Sequence, residues 1–325
     1  MDKYDFGELT ELHVHVGSAV DPPIMWEIAH DQGIKLPTKN YWEFIDLITV
    51  ADVTTYDMYL ELFHWTELIQ SSPEAMEKSI YSIATGAYRK NNITTLEIRF
   101  NPMKRNRGGE RDLDHIILAS IHGMERAMLA FPIQVGLIFC LDRSFSLELN
   151  SIIAQKAIKY SKRAVVGIDL AGHITTLFEV GELKAMVTDC KKHGLGVTIH
   201  TGEATGPDEV WRVIKELAPD RIGHGVRSTE DESLLDELSA RGIVLEVCPT
   251  SNVHTGVVKS LDDFRDIFAK LKAHNVLFTI NSDGPEMLKT NLVSEYTQLI
   301  SQNILTREDL LIAGKTAKKA SFIKK

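Results

Sequence analysis

The sequence predicts an α/β protein, a (β/α)8 TIM-type barrel with additional helices inserted after strand 1. Eight short runs rich in β-branched residues alternate with longer amphipathic stretches, as expected of βα units around a parallel sheet. Ionisable residues also concentrate where those runs end, which is the edge at which such barrels build their sites. The length of 325 residues suits one barrel, so we expect residues 1–325 to form a single domain.

The predicted strands are short, and eight is the number that closes a βα barrel. No linker rich in proline, glycine or serine separates them. In chain order the strands are 11–16 (ELHVHV), 94–100 (TTLEIRF), 133–141 (IQVGLIFCL), 165–170 (VVGIDL), 196–201 (GVTIHT), 221–224 (RIGH), 243–248 (IVLEVC) and 276–281 (VLFTIN).

Helical patterns fill the intervals, and several open with Pro, Asp or Ser near the first turn. The clearest are 73–90, 112–130, 207–217 and 261–273. The interval 17–93 is far longer than one crossover, so we expect extra helices folded over the barrel mouth. Its aromatic residues are expected mainly in the core of those helices, although nucleoside contact is an alternative: Trp26, Trp42, Phe44, Tyr56, Tyr59, Phe63 and Trp65.

Composition excludes several classes of partner. A formal net charge of −9 disfavours a nucleic-acid binder, which normally carries a basic stripe, and no apolar run approaches the ~20 residues of a membrane span. The chain start lacks a secretory signal, so we expect a cytoplasmic protein. Scattered Cys140, Cys190 and Cys248 are expected to be reduced thiols. The segment 105–111 (RNRGGER) reads as an exposed, mobile loop with solvated charges. Oligomeric state is not predicted.

The first strand carries two histidines spaced by one residue. Side chains alternate along a strand, so His13 and His15 point to the same face while Leu12 and Val14 point to the other. Such pairs also arise by chance, and a strand histidine is often a satisfied polar group. The pair therefore indicates a metal site only if other candidate ligands lie near it.

Those partners stand at the ends of later strands. His200 ends the run VTIHT and Asp283 follows LFTINS, so both belong at the barrel edge where active sites form. With His13 and His15 they make a possible site of three histidines and one aspartate. Imidazole and carboxylate suit Zn²⁺, one ion per subunit with one position left for water, although the set tolerates other divalent metals.

Two further residues in these motifs favour proton chemistry. Glu203 follows His200 by three residues, where it is predicted to carry a proton between water and substrate beside the metal. The alternative is an exposed helix-capping glutamate. His224 in RIGHG is predicted to orient the attacking water or to stabilise it electrostatically. Its alternative is a buried histidine with a backbone partner.

Seven motifs follow one another along nearly the whole chain, which closes with KKASFI (318–323). They are ELHVHVGSAV (11–20), LEIRFNP (96–102), VVGIDLAG (165–172), HTGE (200–203), RIGHG (221–225), EVCPTSN (246–252) and SDGPE (282–286). In this order and approximate spacing, the chain resembles the adenosine deaminases of the metal-dependent amidohydrolase superfamily.

The resemblance implies a zinc-dependent hydrolytic deaminase that converts an adenine-type purine nucleoside, such as adenosine, deoxyadenosine or a modified adenosine, to the inosine form plus ammonia. Deaminases of other zinc folds also use a glutamate that is not a ligand to move protons. Site roles implied by the likeness are zinc ligation by His13, His15, His200 and Asp283, protonation of purine N1 by Glu203, steering of the hydroxide by His224, and a backbone contact of Gly172 with purine N3.

The chain departs from the family pattern at two substrate-binding positions. Gly284 follows Asp283 where most members carry a second aspartate that reaches purine N7, and Gly17 stands where members similar to the animal enzyme carry an acidic residue that reaches the ribose. A hydrogen bond to a charged group contributes about 1.5–3 kcal/mol, or roughly one to two orders of magnitude in rate. Adenosine is therefore expected to react slowly unless Glu286, Ser282 or a bridging water compensates.

These departures leave three functions open. The leading one is a purine-nucleoside aminohydrolase acting on a small-molecule substrate. A near rival deaminates free adenine, a pterin or another aminated heterocycle with the same metal and glutamate. A non-catalytic purine-binding protein, in which Gly284 records a lost activity, is the third. Ammonia release separates the two enzymes from the binding protein.

Overall fold

The computed structural model describes residues 6–50, 53–106, 112–173 and 179–324. Eight parallel strands follow one another around a nearly closed barrel, each paired with the next strand in sequence. The predicted (β/α)8 fold and all eight strands are confirmed. The strands are β1 (Leu9–His15), β2 (Ile93–Phe100), β3 (Gln134–Asp142), β4 (Val165–Ala171), β5 (Gly196–Thr201), β6 (Arg221–His224), β7 (Val244–Val247) and β8 (Phe278–Ile280).

The barrel closes between β1 and the residues after β8. The His15 amide donates to the Asp283 carbonyl at 3.0 Å, and the Asp283 amide donates to the His13 carbonyl at 2.9 Å. This closing contact places Asp283 beside the histidine pair of β1, although the two lie at opposite ends of the sequence.

Helices surround the strands, and the four stretches predicted as helices are confirmed, the last with a 3₁₀ first turn. The α-helices in the described residues are α1 (Val16–Ala19), α2 (Pro22–Asp31), α3 (Tyr41–Ile48), α4 (Tyr56–Ile69), α5 (Pro73–Asn91), α6 (Leu113–Ala130), α7 (Leu147–Tyr160), α8 (Lys184–Lys192), α9 (Pro207–Glu216), α10 (Glu232–Arg241), α11 (Pro249–His254), α12 (Phe264–Ala273), α13 (Leu292–Ser301) and α14 (Arg307–Ala320). Short 3₁₀ helices span Met103–Arg105, Val180–Leu183, Val226–Glu230 and Leu261–Asp263.

The insertion between β1 and β2 is helical, as predicted, and consists of α1 to α5. Helix α4 begins where the Thr55 hydroxyl accepts from the Met58 amide, and α5 begins where Ser72 caps the Ala75 amide with Pro73 at the first position. These caps satisfy amides that have no partner within their own helix.

The barrel interior contains charged residues as well as apolar ones. Arg99 and Arg221 are almost fully buried, where an unpaired charge is very costly. Arg99 contacts Asp169 at 2.9 Å and Glu246 at 2.7 Å, while Arg221 contacts Glu246 at 2.6 Å. The barrel interior therefore contains a network of paired buried charges surrounded by apolar side chains.

The prediction of an exposed loop from residue 105 is wrong at its first residue. Arg105 ends a 3₁₀ helix, is buried, and donates from Nη1 to Gln70 Oε1 at 2.8 Å, because the long insertion supplies Gln70 as its partner. Residues 107–111 lie outside the described residues. Within the described ranges, no helix combines the length and apolarity needed to cross a membrane.

Candidate metal and substrate site

Three histidines and one aspartate converge at the carboxyl edge of the barrel. The ring nitrogens of His13, His15 and His200 that face one another lie within 4.8 Å, and the Nε2 atoms of His15 and His200 are 3.2 Å apart. Asp283 Oδ1 lies 3.7 Å from His13 Nε2 and 3.6 Å from His15 Nε2. Zinc bonds to imidazole nitrogen and carboxylate oxygen are about 2.0–2.2 Å long, so these separations allow the three rings and the carboxylate to share one ion.

Carboxylates fix two of the three imidazole rings from behind. Glu246 Oε2 lies 2.7 Å from His13 Nδ1, and Asp169 Oδ2 lies 2.9 Å from His200 Nδ1. Carboxylates in this position turn the other ring nitrogen towards a metal. His13 Nε2 is buried and, among the described residues, has no hydrogen-bond partner. An orphaned ring nitrogen aimed at the shared point is what a divalent cation requires.

Arg99 links the two supporting carboxylates. Although burial alone would raise the pKa of Glu246, Arg99 and Arg221 lower that pKa to about 2. The pKa of Asp169 is also below its usual range, because His200 and Arg99 outweigh its burial. Both carboxylates therefore stay charged and hold their histidines. The sequence interpretation did not single out Arg99, Asp169 or Glu246. The signal that could have found them is a charged side chain within an otherwise apolar strand.

His13 and His15 are suited to bind metal rather than protons. Burial is the main cause that lowers the pKa of His13 and His15, with neighbouring positive groups adding to it. Neutral imidazole is the form that coordinates metal. An overlapping group of His13, His224 and Cys248 fits less well, because burial raises the pKa of the Cys248 thiol and keeps the weaker ligand form.

Glu203 and His224 form a second buried group beside the histidines. Asn252 Nδ2 donates to Glu203 Oε1 at 3.3 Å and lies 3.0 Å from His224 Nδ1. Burial raises the pKa of Glu203 well above its usual value; the charge of Asp283 adds to this, and Asn252 opposes it. An exposed capping role for Glu203 is wrong, since it is 5% exposed and Gly206 is the N-cap of α9. His224 contacts a side-chain partner, Asn252, on α11.

Two of these residues adopt unusual backbone conformations. His224 has φ 61° and Asp283 has φ 60°, in the left-handed region that residues other than glycine rarely occupy. Such strain often accompanies functional positions. Ser251 Oγ donates to Asp283 Oδ2 at 2.6 Å, which leaves Oδ1 facing the histidines.

A cavity of about 290 Å³ opens beside this group. Glu203, His224, Asp283 and Gly172 line it, and helix α4 contributes Tyr56, Tyr59 and Phe63. Gly172 has φ 92°, and a Cβ there would lie 2.9 Å from Asp142 Oδ1, so glycine is required where the chain turns into the cavity. The sequence interpretation favoured a core role for these three aromatic residues, but they line the cavity.

Neither Gly17 nor Gly284 is among the residues that line the cavity. A Cβ on Gly17 would lie 2.6 Å from Phe63 Cδ1, and a Cβ on Gly284 would lie 2.9 Å from both Ser18 Oγ and Tyr59 Oη. Aromatic side chains of α4 thus cover both glycines. A side chain at either position would require these neighbouring side chains to shift.

The two side chains considered as substitutes for the missing aspartate point elsewhere. Glu286 forms an ion pair with Lys90 at 2.7 Å, and Ser282 Oγ donates to Glu11 Oε2 at 2.8 Å. Neither lines the cavity, so in this structure neither side chain takes the place of the missing aspartate.

The geometry agrees with comparisons to known proteins. The family model described as adenosine deaminase matches residues 9–325. The chain belongs to the adenosine deaminase family. As a member, it is a deaminase that hydrolyses a cyclic amidine. The adenosine deaminase of Clostridium kluyveri is 30% identical over 317 residues, which cover 97% of this chain and 90% of the relative.

Solved structures share the fold of this family member. The adenine deaminase from Arthrobacter aurescens superposes with a TM-score of 0.87 at 20% identity, covering 98% of this chain and 94% of that one. The N6-methyl-AMP deaminase from Arabidopsis thaliana gives a TM-score of 0.82 at 22% identity, with 98% and 92% covered. At these identities the likeness establishes the barrel alone.

Proposed function

We propose that this adenosine deaminase family member is a zinc-dependent aminohydrolase that converts an adenine-type purine nucleoside to its inosine form and ammonia. The observation that carries the proposal is the convergence of three histidine nitrogens and Asp283 Oδ1 beside buried Glu203. In this proposal His13, His15, His200 and Asp283 would hold one zinc ion per chain beside the cavity. When bound, zinc supplies a Lewis acid that lets water ionise near neutral pH.

Glu203 is the proposed proton carrier. Burial raises the pKa of its carboxyl well above the usual value, which favours the protonated form, and an acid placed against purine N1 makes C6 electron-poor. Water then adds to C6 and the amino group leaves as ammonia, so a C–N bond is exchanged for a C–O bond. His224 orients the water, Asn252 holds Glu203 Oε1, and Gly172 lies against N3.

A second substrate is favoured by one observation. Phe63 covers Gly17, the position at which the resemblance places an acidic contact with ribose, so the sugar loses a polar partner there. Free adenine needs no such contact, and a protein of the same fold is described as an adenine deaminase. Adenine is therefore the alternative to a nucleoside.

A substrate panel tests the proposal. Zinc-loaded protein is mixed with adenosine, deoxyadenosine, 5′-modified adenosines, N6-methyl-AMP, adenine and a pterin, and the release of ammonia, or of methylamine from N6-methyl-AMP, gives kcat/KM for each. We expect a nucleoside to have the highest value. Highest efficiency with adenine supports the alternative, and no ammonia or methylamine from any compound, in protein holding one zinc per chain, contradicts enzymatic deamination of these rings.

A variant separates proton transfer from metal binding. Glu203→Gln keeps the side-chain shape but cannot carry the proton, so we expect zinc content to stay at the wild-type level while kcat falls about 10²- to 10⁴-fold. Glu232→Gln, an exposed carboxylate at the start of α10, is the control and is expected to retain full activity. Near wild-type turnover in Glu203→Gln would contradict the assigned role.

A further inference from the structure

Tyr59 presents a buried polar group to the cavity that the proposed reaction leaves unused. Its side chain is 4% exposed and lines the cavity. Within the described part of the chain its hydroxyl makes no hydrogen bond of regular geometry, although it faces the Asp283 carboxylate closely enough to oppose the rise that burial causes in the pKa of that group. Buried tyrosine hydroxyls normally find a partner. A ligand bound in the cavity can offer this hydroxyl an acceptor in regular geometry.

The hydroxyl stands where a side chain of residue 284 would begin. An added Cβ on Gly284 would lie 2.9 Å from Tyr59 Oη, so the tyrosine hydroxyl takes up space that a side chain after Asp283 would need. The Tyr59 ring meets Phe63 edge to face, with centroids 5.6 Å apart, and Phe63 packs on Gly17. This packing holds the hydroxyl in position.

The chemistry of adenine identifies the acceptor. Two ring nitrogens flank C6, namely N1 on the pyrimidine side and N7 on the imidazole side. If Glu203 takes N1, then N7 is the acceptor that remains beside the reacting carbon. A tyrosine hydroxyl keeps its hydrogen at neutral pH, so it can donate to N7 without prior protonation.

We propose that Tyr59 is a substrate-binding residue whose hydroxyl donates a hydrogen bond to N7 of the purine ring. The inference rests on the proposed function. In this proposal helix α4 recognises the imidazole side of the purine ring. In the family pattern that contact belongs to the segment after β8, where this chain has Gly284. The Tyr59 contact also explains why Gly284 is compatible with an active site.

The test removes each partner in turn. In 7-deazaadenosine a C–H group replaces N7, and Tyr59→Phe removes the hydroxyl. We expect wild-type kcat/KM to be about 5- to 100-fold lower for 7-deazaadenosine than for adenosine, because the buried hydroxyl is left unpaired. Tyr59→Phe should lose a similar factor with adenosine and stay within about twofold of wild type with 7-deazaadenosine.

Controls separate the possible results. Tyr296→Phe removes another buried tyrosine hydroxyl, on α13 away from the cavity, and should keep the wild-type ratio between the two substrates. Equal wild-type efficiency with both substrates overturns the role of Tyr59 without needing any variant, and leaves the proposed function standing. Loss of zinc from Tyr59→Phe with equal losses on both substrates also overturns it. No turnover of any adenine compound by wild type overturns both proposals.

Discussion

Asp169 lies behind the proposed metal site, and its replacement by asparagine tests how that site is supported. The carboxylate is fully buried and lies 2.9 Å from His200 Nδ1 on one side and 2.9 Å from Arg99 Nη1 on the other. Asp169→Asn keeps the shape but removes the charge and turns one acceptor into a donor. The ring of His200 then keeps at most a neutral amide acceptor in place of a charged carboxylate.

The expected cost follows from this role. Loss of such a supporting carboxylate lowers metal affinity about 10- to 100-fold, which corresponds to about 1.4–2.7 kcal/mol. Breaking one partner of a buried ion pair also lowers the free energy of unfolding, by about 3–5 kcal/mol when the remaining charge has no other partner. Arg99 retains Glu246, so we expect a loss below that range.

The assay is a zinc competition titration against a chelating dye, paired with urea unfolding of the metal-free protein. Glu97→Gln is the matched control, since Glu97 is equally buried and paired with Arg221 but has no contact with a site histidine. We expect it to lower stability while leaving zinc affinity unchanged. Wild-type zinc affinity in Asp169→Asn, or an equal loss of affinity in Glu97→Gln, would refute the reasoning.

Three further changes have expected results. Asp283→Ala removes a proposed ligand, so metal analysis should find less zinc per chain as well as less turnover; full zinc content would exclude Asp283 as a ligand. Gly284→Asp alone should lower kcat/KM for adenosine, because the new side chain displaces Tyr59; a gain would mean that the two side chains fit together. Burial raises the pKa of Glu295 from 4.5 to about 7, so the folded protein binds this proton more tightly than the unfolded chain does. The free energy of unfolding is therefore expected to fall as the pH rises from about 4.5 to 7, by at most about 3 kcal/mol. Urea unfolding of metal-free Glu295→Gln should show a smaller decline over that range, and an unchanged decline would exclude Glu295 as its source.

The fold and the metal-ligand candidates were readable from the sequence because both follow local rules. Strand periodicity placed His13 and His15 on one face, and strand ends placed His200 and Asp283 at the same edge of the barrel. The structure brings these four together through the closing contact between β1 and the residues after β8.

The residues that hold the histidines from behind, and those of α4 that cover the cavity, could not be predicted from the sequence in the same way. Asp169 and Glu246 matter through Arg99, which reaches both across the barrel interior, and a linear pattern does not reveal pairing over such separations. Tyr59 and Phe63 lie on an amphipathic helix whose aromatic spacing also suits a plain core. Their direction towards Gly17 and Gly284 depends on how the insertion packs on the mouth.

The most direct test of the central claim is a zinc titration of metal-free protein, with ammonia release from the best purine substrate measured at each addition. The account predicts that turnover rises linearly with added zinc and stops at one ion per chain. Undiminished turnover in the metal-free protein, or one tightly bound zinc per chain without any ammonia release, would contradict it.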